Sequence, residues 1–156
     1  VIDEHDNSDL ILEIESRTER LAEVRNFVSA AALDFGFAEE ETATIALAVD
    51  EACTNIIKHA YRNNPGGRIK LGISTSAKRH PGRFTVTIVD NGLAFDSEHY
   101  KPPDMREYFR KPRKGGLGIV LIRKLMDEVE YSASPGAPNA IRLSKYLKAR
   151  RAPTGS

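Results

Sequence analysis

Cysteine is almost missing from this chain of 156 residues, and with Cys53 alone no internal disulfide can form. Histidine is scarce too: four residues, scattered along the chain, offer no zinc-binding spacing. There is also little net charge. Lys and Arg number 23 against 22 for Asp and Glu, so no general electrostatic pull toward nucleic acid exists. The short basic stretch from Lys145 to Arg151 reads as a solvated strand end rather than a docking site for an acidic partner. No apolar run approaches a membrane span, and the first residues lack a basic-then-apolar signal pattern. A cytoplasmic protein with no membrane or direct nucleic-acid partner is therefore expected. The length suits one domain over residues 1–156, with a core from about 10 to 147.

What is present is periodicity. Leu10 to Glu15 alternates as a half-buried strand, and Leu21, Val24, Phe27, Val28, Ala31 and Leu33 recur at helical spacing between Thr18 and Phe35, with Gly36 as a stop. A longer helix is predicted from Glu39 to Tyr61, ended by Asn63-Asn64-Pro65-Gly66-Gly67. Strands at Arg68 to Ser76 and Arg83 to Val89 flank the turn His80-Pro81-Gly82. After Asp90-Asn91-Gly92 comes a long aperiodic segment containing Pro102, Pro103 and Pro112, a pattern usually functional or disordered in a compact domain. Gly115-Gly116-Leu117-Gly118 then opens a helix from Ile119 to Glu128, with Val120, Leu121, Leu125 and Met126 as its apolar stripe. Strands at Val129 to Ser134 and Ala140 to Leu147 finish the domain. This order predicts a two-layer α/β sandwich, a mixed and mostly antiparallel sheet with helices on one face.

Three segments carry candidate chemistry. In the second helix Glu51, Asn55 and His59 succeed one another at i, i+4 steps, while Ile45, Val49, Cys53, Ile56 and Ala60 form an apolar face. Cys53 on that face reads as a small buried hydrophobe rather than a nucleophile. A carboxylate and a carboxamide one turn apart beside a core suit a metal-nucleotide site, since Mg²⁺ prefers oxygen ligands; a solvated helix face is the competing reading. Asp90-Asn91-Gly92 follows a strand, where a carboxylate can accept from an exocyclic amine and glycine admits a planar ring, though the same tripeptide also makes ordinary turns. Gly115, Gly116 and Gly118 enter a helix behind Lys111, Arg113 and Lys114, which favours anion binding at free backbone N–H groups. The run lacks the Gly-Lys-Ser/Thr ending of a Walker A loop.

With these residues in view, the chain resembles the GHKL ATP-binding family, and within it the serine-kinase anti-sigma factors. The resemblance runs from Leu10 to Leu147. It is carried by Val49-Asp50-Glu51-Ala52-Cys53-Thr54-Asn55-Ile56-Ile57-Lys58-His59-Ala60-Tyr61, by Asp90-Asn91-Gly92-Leu93-Ala94-Phe95-Asp96, and by Gly115-Gly116-Leu117-Gly118-Ile119-Val120-Leu121-Ile122 leading into Met126-Asp127-Glu128-Val129-Glu130-Tyr131. It implies a Bergerat-type ATP-binding fold and a protein-serine/threonine kinase using ATP and Mg²⁺. Glu51 would be the general base and Asn55 would give an amide oxygen to Mg²⁺. Asp90 would read the adenine amino group with Gly92 beneath the ring; residues 97–114 would form the lid, and Gly115, Gly116 and Gly118 the phosphate cradle. Arg25 would contact a sigma factor and an anti-sigma-factor antagonist, and the protein would be a homodimer. The chain departs from the pattern at Ala94, where a second glycine is common. It departs again at Pro138-Asn139-Ala140-Ile141, where many relatives carry a threonine that helps hold adenine, so weaker nucleotide binding is expected. His59 reads as a cap or packing residue at the helix end rather than a catalytic one.

Two other functions compete. One is a module that binds nucleotide without catalysis, against which the carboxylate of Glu51 argues; the other is the catalytic part of a histidine kinase, for which no dimerisation helix with a phosphoacceptor histidine is seen.

Overall fold

The computed structural model describes residues 9–78, 80–94 and 118–148. Five strands form one sheet: β1 (Leu10–Glu15), β2 (Arg68–Ser76), β3 (Gly82–Asp90), β4 (Glu128–Ser132) and β5 (Asn139–Leu147), in the order β1-β2-β3-β5-β4. Every described pairing is antiparallel, so the sheet expected to be mixed has no parallel pair among the described residues. The reason lies in the connections: short segments, residues 77–81 and 133–138, link β2 to β3 and β4 to β5, and β5 lies between β3 and the edge strand β4. Helices α1 (Leu21–Phe35), α2 (Glu39–Asn55) and α3 (Gly118–Leu125) cover one face.

Period-two alternation decides which face that is. Ile69, Leu71 and Ile73 of β2, Phe84, Val86 and Ile88 of β3, and Leu143 of β5 point to the helices and are almost fully buried. Val24 and Val28 of α1 and Ile45, Val49 and Cys53 of α2 meet them. Each large aliphatic buried in this way contributes about 1.5–3 kcal/mol. The other face is polar, with Thr85 and Ser144 joined by a hydroxyl hydrogen bond of 3.0 Å and Arg83 paired with Glu128 at 2.8 Å.

Three local expectations are corrected. Leu33 is half exposed, because the α1 stripe runs through Val28 to Ala32 and leaves Leu33 one step, about 100°, off it. In α3 the buried stripe is Gly118, Ile122 and Met126, with Val120, Leu121 and Leu125 only half-buried, and the helix ends at Leu125 so that Glu128 begins β4. The second helix is α-helical only to Asn55. Residues Ile56–Ala60 form one π turn, in which the Tyr61 N–H donates to the Ile56 carbonyl at 2.9 Å. The chain then leaves through Arg62 and Asn63, both left-handed, at φ 50° and 62°.

Candidate active site

Register brings Asp90 to one end of the sheet. Asp90, the last residue of β3, lies between Ile69 of β2 and Asn139 of β5, so its carboxyl emerges where both neighbouring strands begin. It is 5 % exposed. Its Oδ1 accepts from the Gly92 N–H at 2.9 Å and from Asn139 Nδ2 at 3.0 Å, and the same nitrogen donates to the Gly92 carbonyl at 2.9 Å. Burial pushes the Asp90 carboxyl above its ordinary value, and the Asn139 and Gly92 donors pull part of that shift back. The result is a buried acid with one oxygen doubly held, an acceptor of defined direction for a donor group on a ligand.

The loop after Asp90 is pinned from the helix side as well. The Leu93 N–H donates to the Ala60 carbonyl at 2.8 Å, which gives an otherwise orphaned carbonyl at the helix end a partner. Gly92 lies so close to that turn that a Cβ on it would stand 2.6 Å from the Ala60 oxygen. Only glycine fits there.

Glu51 and Asn55 sit on α2, both half-buried, and Gly118 at the start of α3 packs directly on the Asn55 side chain. A Cβ at Gly118 would collide with Asn55 Nδ2 and lie 2.9 Å from Oδ1. The first turn of a helix, with its free N–H groups, thus abuts a carboxamide. Gly115, Gly116 and the lid expected at 97–114 lie outside the described residues. His59, expected to cap or pack, is exposed on the π turn: the change of helical pitch after Asn55 takes it off the stripe that starts at Glu51. Arg25 is half exposed on α1, and its Nη1 donates to Asp50 Oδ1 at 2.8 Å, tying α1 to the residue before Glu51. Cys53 is fully buried, and burial pushes its thiol far up, as expected of a core residue rather than a nucleophile.

Asn139 and Tyr61 are the residues to which sequence reasoning gave no role. The strand start at Asn139 stood out only as a departure from the family's threonine; it is the residue that clasps Asp90. A cavity of about 650 Å³, lined among others by Phe35, Ile73, His80 and Leu147, lies at the opposite end of the sheet, where the register places it far from Asp90. It holds none of the described candidate residues.

The chain matches the histidine kinase-like ATPase domain over residues 14–145. It is 33 % identical over 140 residues to the serine-protein kinase RsbW of Oceanobacillus iheyensis, covering 87 % of this chain and 85 % of that one. It is 29 % identical over 142 residues to RsbW of Bacillus thuringiensis, covering 88 % and 84 %. Among solved structures, the RsbU and RsbW domains of a Mycobacterium tuberculosis protein superpose with a TM-score of 0.56 at 14 % identity, covering 91 % of this chain and 34 % of that one. The histidine kinase domain of a blue-light activated kinase from Erythrobacter litoralis superposes at 0.53 with 20 % identity, covering 81 % and 60 %. These two likenesses concern the fold: a sheet with helices on one face, of the GHKL type. With the match over residues 14–145 and the 33 % identity to a relative covered over most of both chains, this chain belongs to the histidine kinase-like ATPase family, in its RsbW serine-protein kinase branch.

Proposed function

We propose that the protein is an ATP-dependent serine/threonine kinase and anti-sigma factor, which sequesters a sigma factor and phosphorylates an anti-sigma-factor antagonist. The single observation that best supports this reading is the packing of Gly118 on Asn55, which joins a phosphate-receiving helix start to an amide suited to a hard cation. A hard cation that arrives on a nucleotide draws most of its ligands from phosphate and water, so a single protein amide suits it.

In this reading Asp90 accepts a hydrogen bond from the adenine amino group, and Gly92 leaves room for the ring. Gly118, with Gly115 and Gly116, offers N–H groups to the phosphates. Mg²⁺, held by Asn55, would neutralise charge on the polyphosphate. Glu51 takes the proton from the acceptor hydroxyl as its oxygen bonds to the γ-phosphorus and the bond to the ADP oxygen breaks. Arg25, held by Asp50 and still half exposed, is a contact for the sigma factor and the antagonist. Phosphorylation adds about two negative charges to the antagonist and weakens its docking, which resets the switch. The protein would act as a homodimer in the cytoplasm; no helix among the described residues is long and apolar enough to cross a membrane.

The test is transfer from labelled ATP with Mg²⁺ to candidate antagonist proteins. Wild type should phosphorylate one serine or threonine, and Glu51→Gln should lose transfer by roughly 10²-fold or more while still binding ADP. Undiminished transfer by Glu51→Gln would remove the base; nucleotide binding with no transfer by wild type to any antagonist would favour a non-catalytic sequestering module.

A further inference from the structure

We propose that Tyr61 is a positioning residue for nucleotide binding, setting the loop Asp90 to Leu93 from the helix side; this rests on the reading of Asp90 as the acceptor for the base. Its hydroxyl bridges the adjoining ends of β2 and β3, one step beyond the Ile69–Asp90 pair. The hydroxyl donates to the Arg68 carbonyl at 2.6 Å, at the start of β2, and accepts from the Asn91 N–H at 2.9 Å, in the loop after β3. The ring stands against Gly67, where a Cβ would lie 2.5 Å from it, so the side chain has a fixed seat. Its neighbour Ala60 holds Leu93 through the backbone and Gly92 by contact.

The two sides of the loop are thus held by different groups. Asn139 fixes Asp90 and the Gly92 carbonyl from the sheet, and Tyr61 with Ala60 fixes Asn91 and Leu93, and abuts Gly92, from the helix. Asn91 sits between the acid and the glycine, so freedom at its backbone changes the angle between the acceptor and the surface under the ring. Both bonds of the Tyr61 hydroxyl are solvent-accessible. Water can therefore replace them without leaving buried polar groups, and losing the hydroxyl loosens the loop rather than unfolding the domain.

The experiment compares wild type, Tyr61→Phe and Asp90→Ala, with ADP·Mg²⁺ binding by calorimetry, steady-state kinetics on ATP and amide hydrogen exchange. Tyr61→Phe should raise the ADP Kd and the ATP KM about three- to tenfold, the loss expected for one modest hydrogen bond. It should leave kcat at saturating ATP within about twofold. Exchange at the Asn91 amide should accelerate while the Tyr61 and Asn63 amides, bonded within the turn, keep their rates. If Asp90→Ala weakens ADP binding and Tyr61→Phe does not, the role of Tyr61 is refuted and that of Asp90 stands. An unchanged Kd in Asp90→Ala refutes the base-reading loop itself. A Tyr61→Phe protein that fails to fold, or that loses kcat in proportion to KM, makes Tyr61 a general support and also overturns the proposal.

Discussion

Asn139→Ala removes the sheet-side clasp on Asp90 and leaves every backbone pairing intact. One nitrogen is lost, together with its bonds to Asp90 Oδ1 and to the Gly92 carbonyl, in a position where both Asp90 and Asn139 are 5 % exposed. A hydrogen bond to a charged group contributes about 1.5–3 kcal/mol and one to a neutral carbonyl about 0.5–1.5 kcal/mol. These do not add in full, since the two bonds share a donor atom and the polar void left behind admits water. A destabilisation of about 2–3 kcal/mol is expected, which for a chain of this size lowers Tm by roughly 5–10 °C. ADP affinity should fall roughly tenfold, because Asp90 keeps only the Gly92 N–H to orient it. In an Asp90→Asn background the same truncation should cost about 1 kcal/mol less, as the acceptor is then neutral. Thermal unfolding and calorimetry on the four proteins of this cycle provide the measurement. A Tm shift under about 1 °C with unchanged ADP affinity would refute the clasp as the element that sets Asp90.

Gly118→Ala must displace the Asn55 carboxamide, so ADP·Mg²⁺ affinity should fall about tenfold or more while unfolding stability stays level or rises by a few tenths of a kcal/mol from helix propensity. An unchanged affinity by calorimetry would sink the contact between the glycine turn and Asn55. Asp90→Asn tests the buried acid through pH. The folded Asp90 titrates above its ordinary 3.8, so its favourable contribution is complete below that value and is lost as pH rises through the elevated folded value. The variant does not titrate. Its stability relative to wild type should therefore grow as pH climbs from about 4 and level off above the folded pKa, in urea midpoints measured across a pH series; a flat or shrinking difference contradicts a raised Asp90.

How far such features could be read from sequence depends on the range of the interaction. β2 was legible to the residue, because Ile69, Leu71 and Ile73 alternate cleanly and turn residues bound the run on both sides. Asp90, Gly92, Glu51 and Asn55 were legible as types at motif spacings. The stripe of α3 was not, because Val120 and Leu121 are as apolar as Ile122, and the rotation of the helix is set by tertiary contacts, among them the seat of Gly118 on Asn55 and the burial of Ile122 in the core. Nor was the π turn, whose residues Ile56 to Ala60 read as ordinary helix; it depends on bonds such as Tyr61 to Ile56 that composition does not encode. Asn139 lay outside any motif, and its role comes from pairing opposite Asp90 across β3 and β5.

The π turn also connects the two parts of the segment from Glu51 to Tyr61. Were the α-helix to continue, the Tyr61 N–H would bond to Ile57, four residues back; instead it reaches Ile56, and the Ile57 carbonyl is taken by Asn63 at 2.8 Å. This extra residue per turn ends the helix with the Ala60 carbonyl turned out of the ladder and available to Leu93. The first half of the motif then carries the proposed base and metal amide, and its last two residues hold the loop that follows the buried acid. Between Asn55 and Ala60 there is one turn of backbone and no flexible joint. In the proposed reading the loop beneath the base and the metal amide are therefore held at the two ends of one π turn, so a substitution that resets this turn moves both.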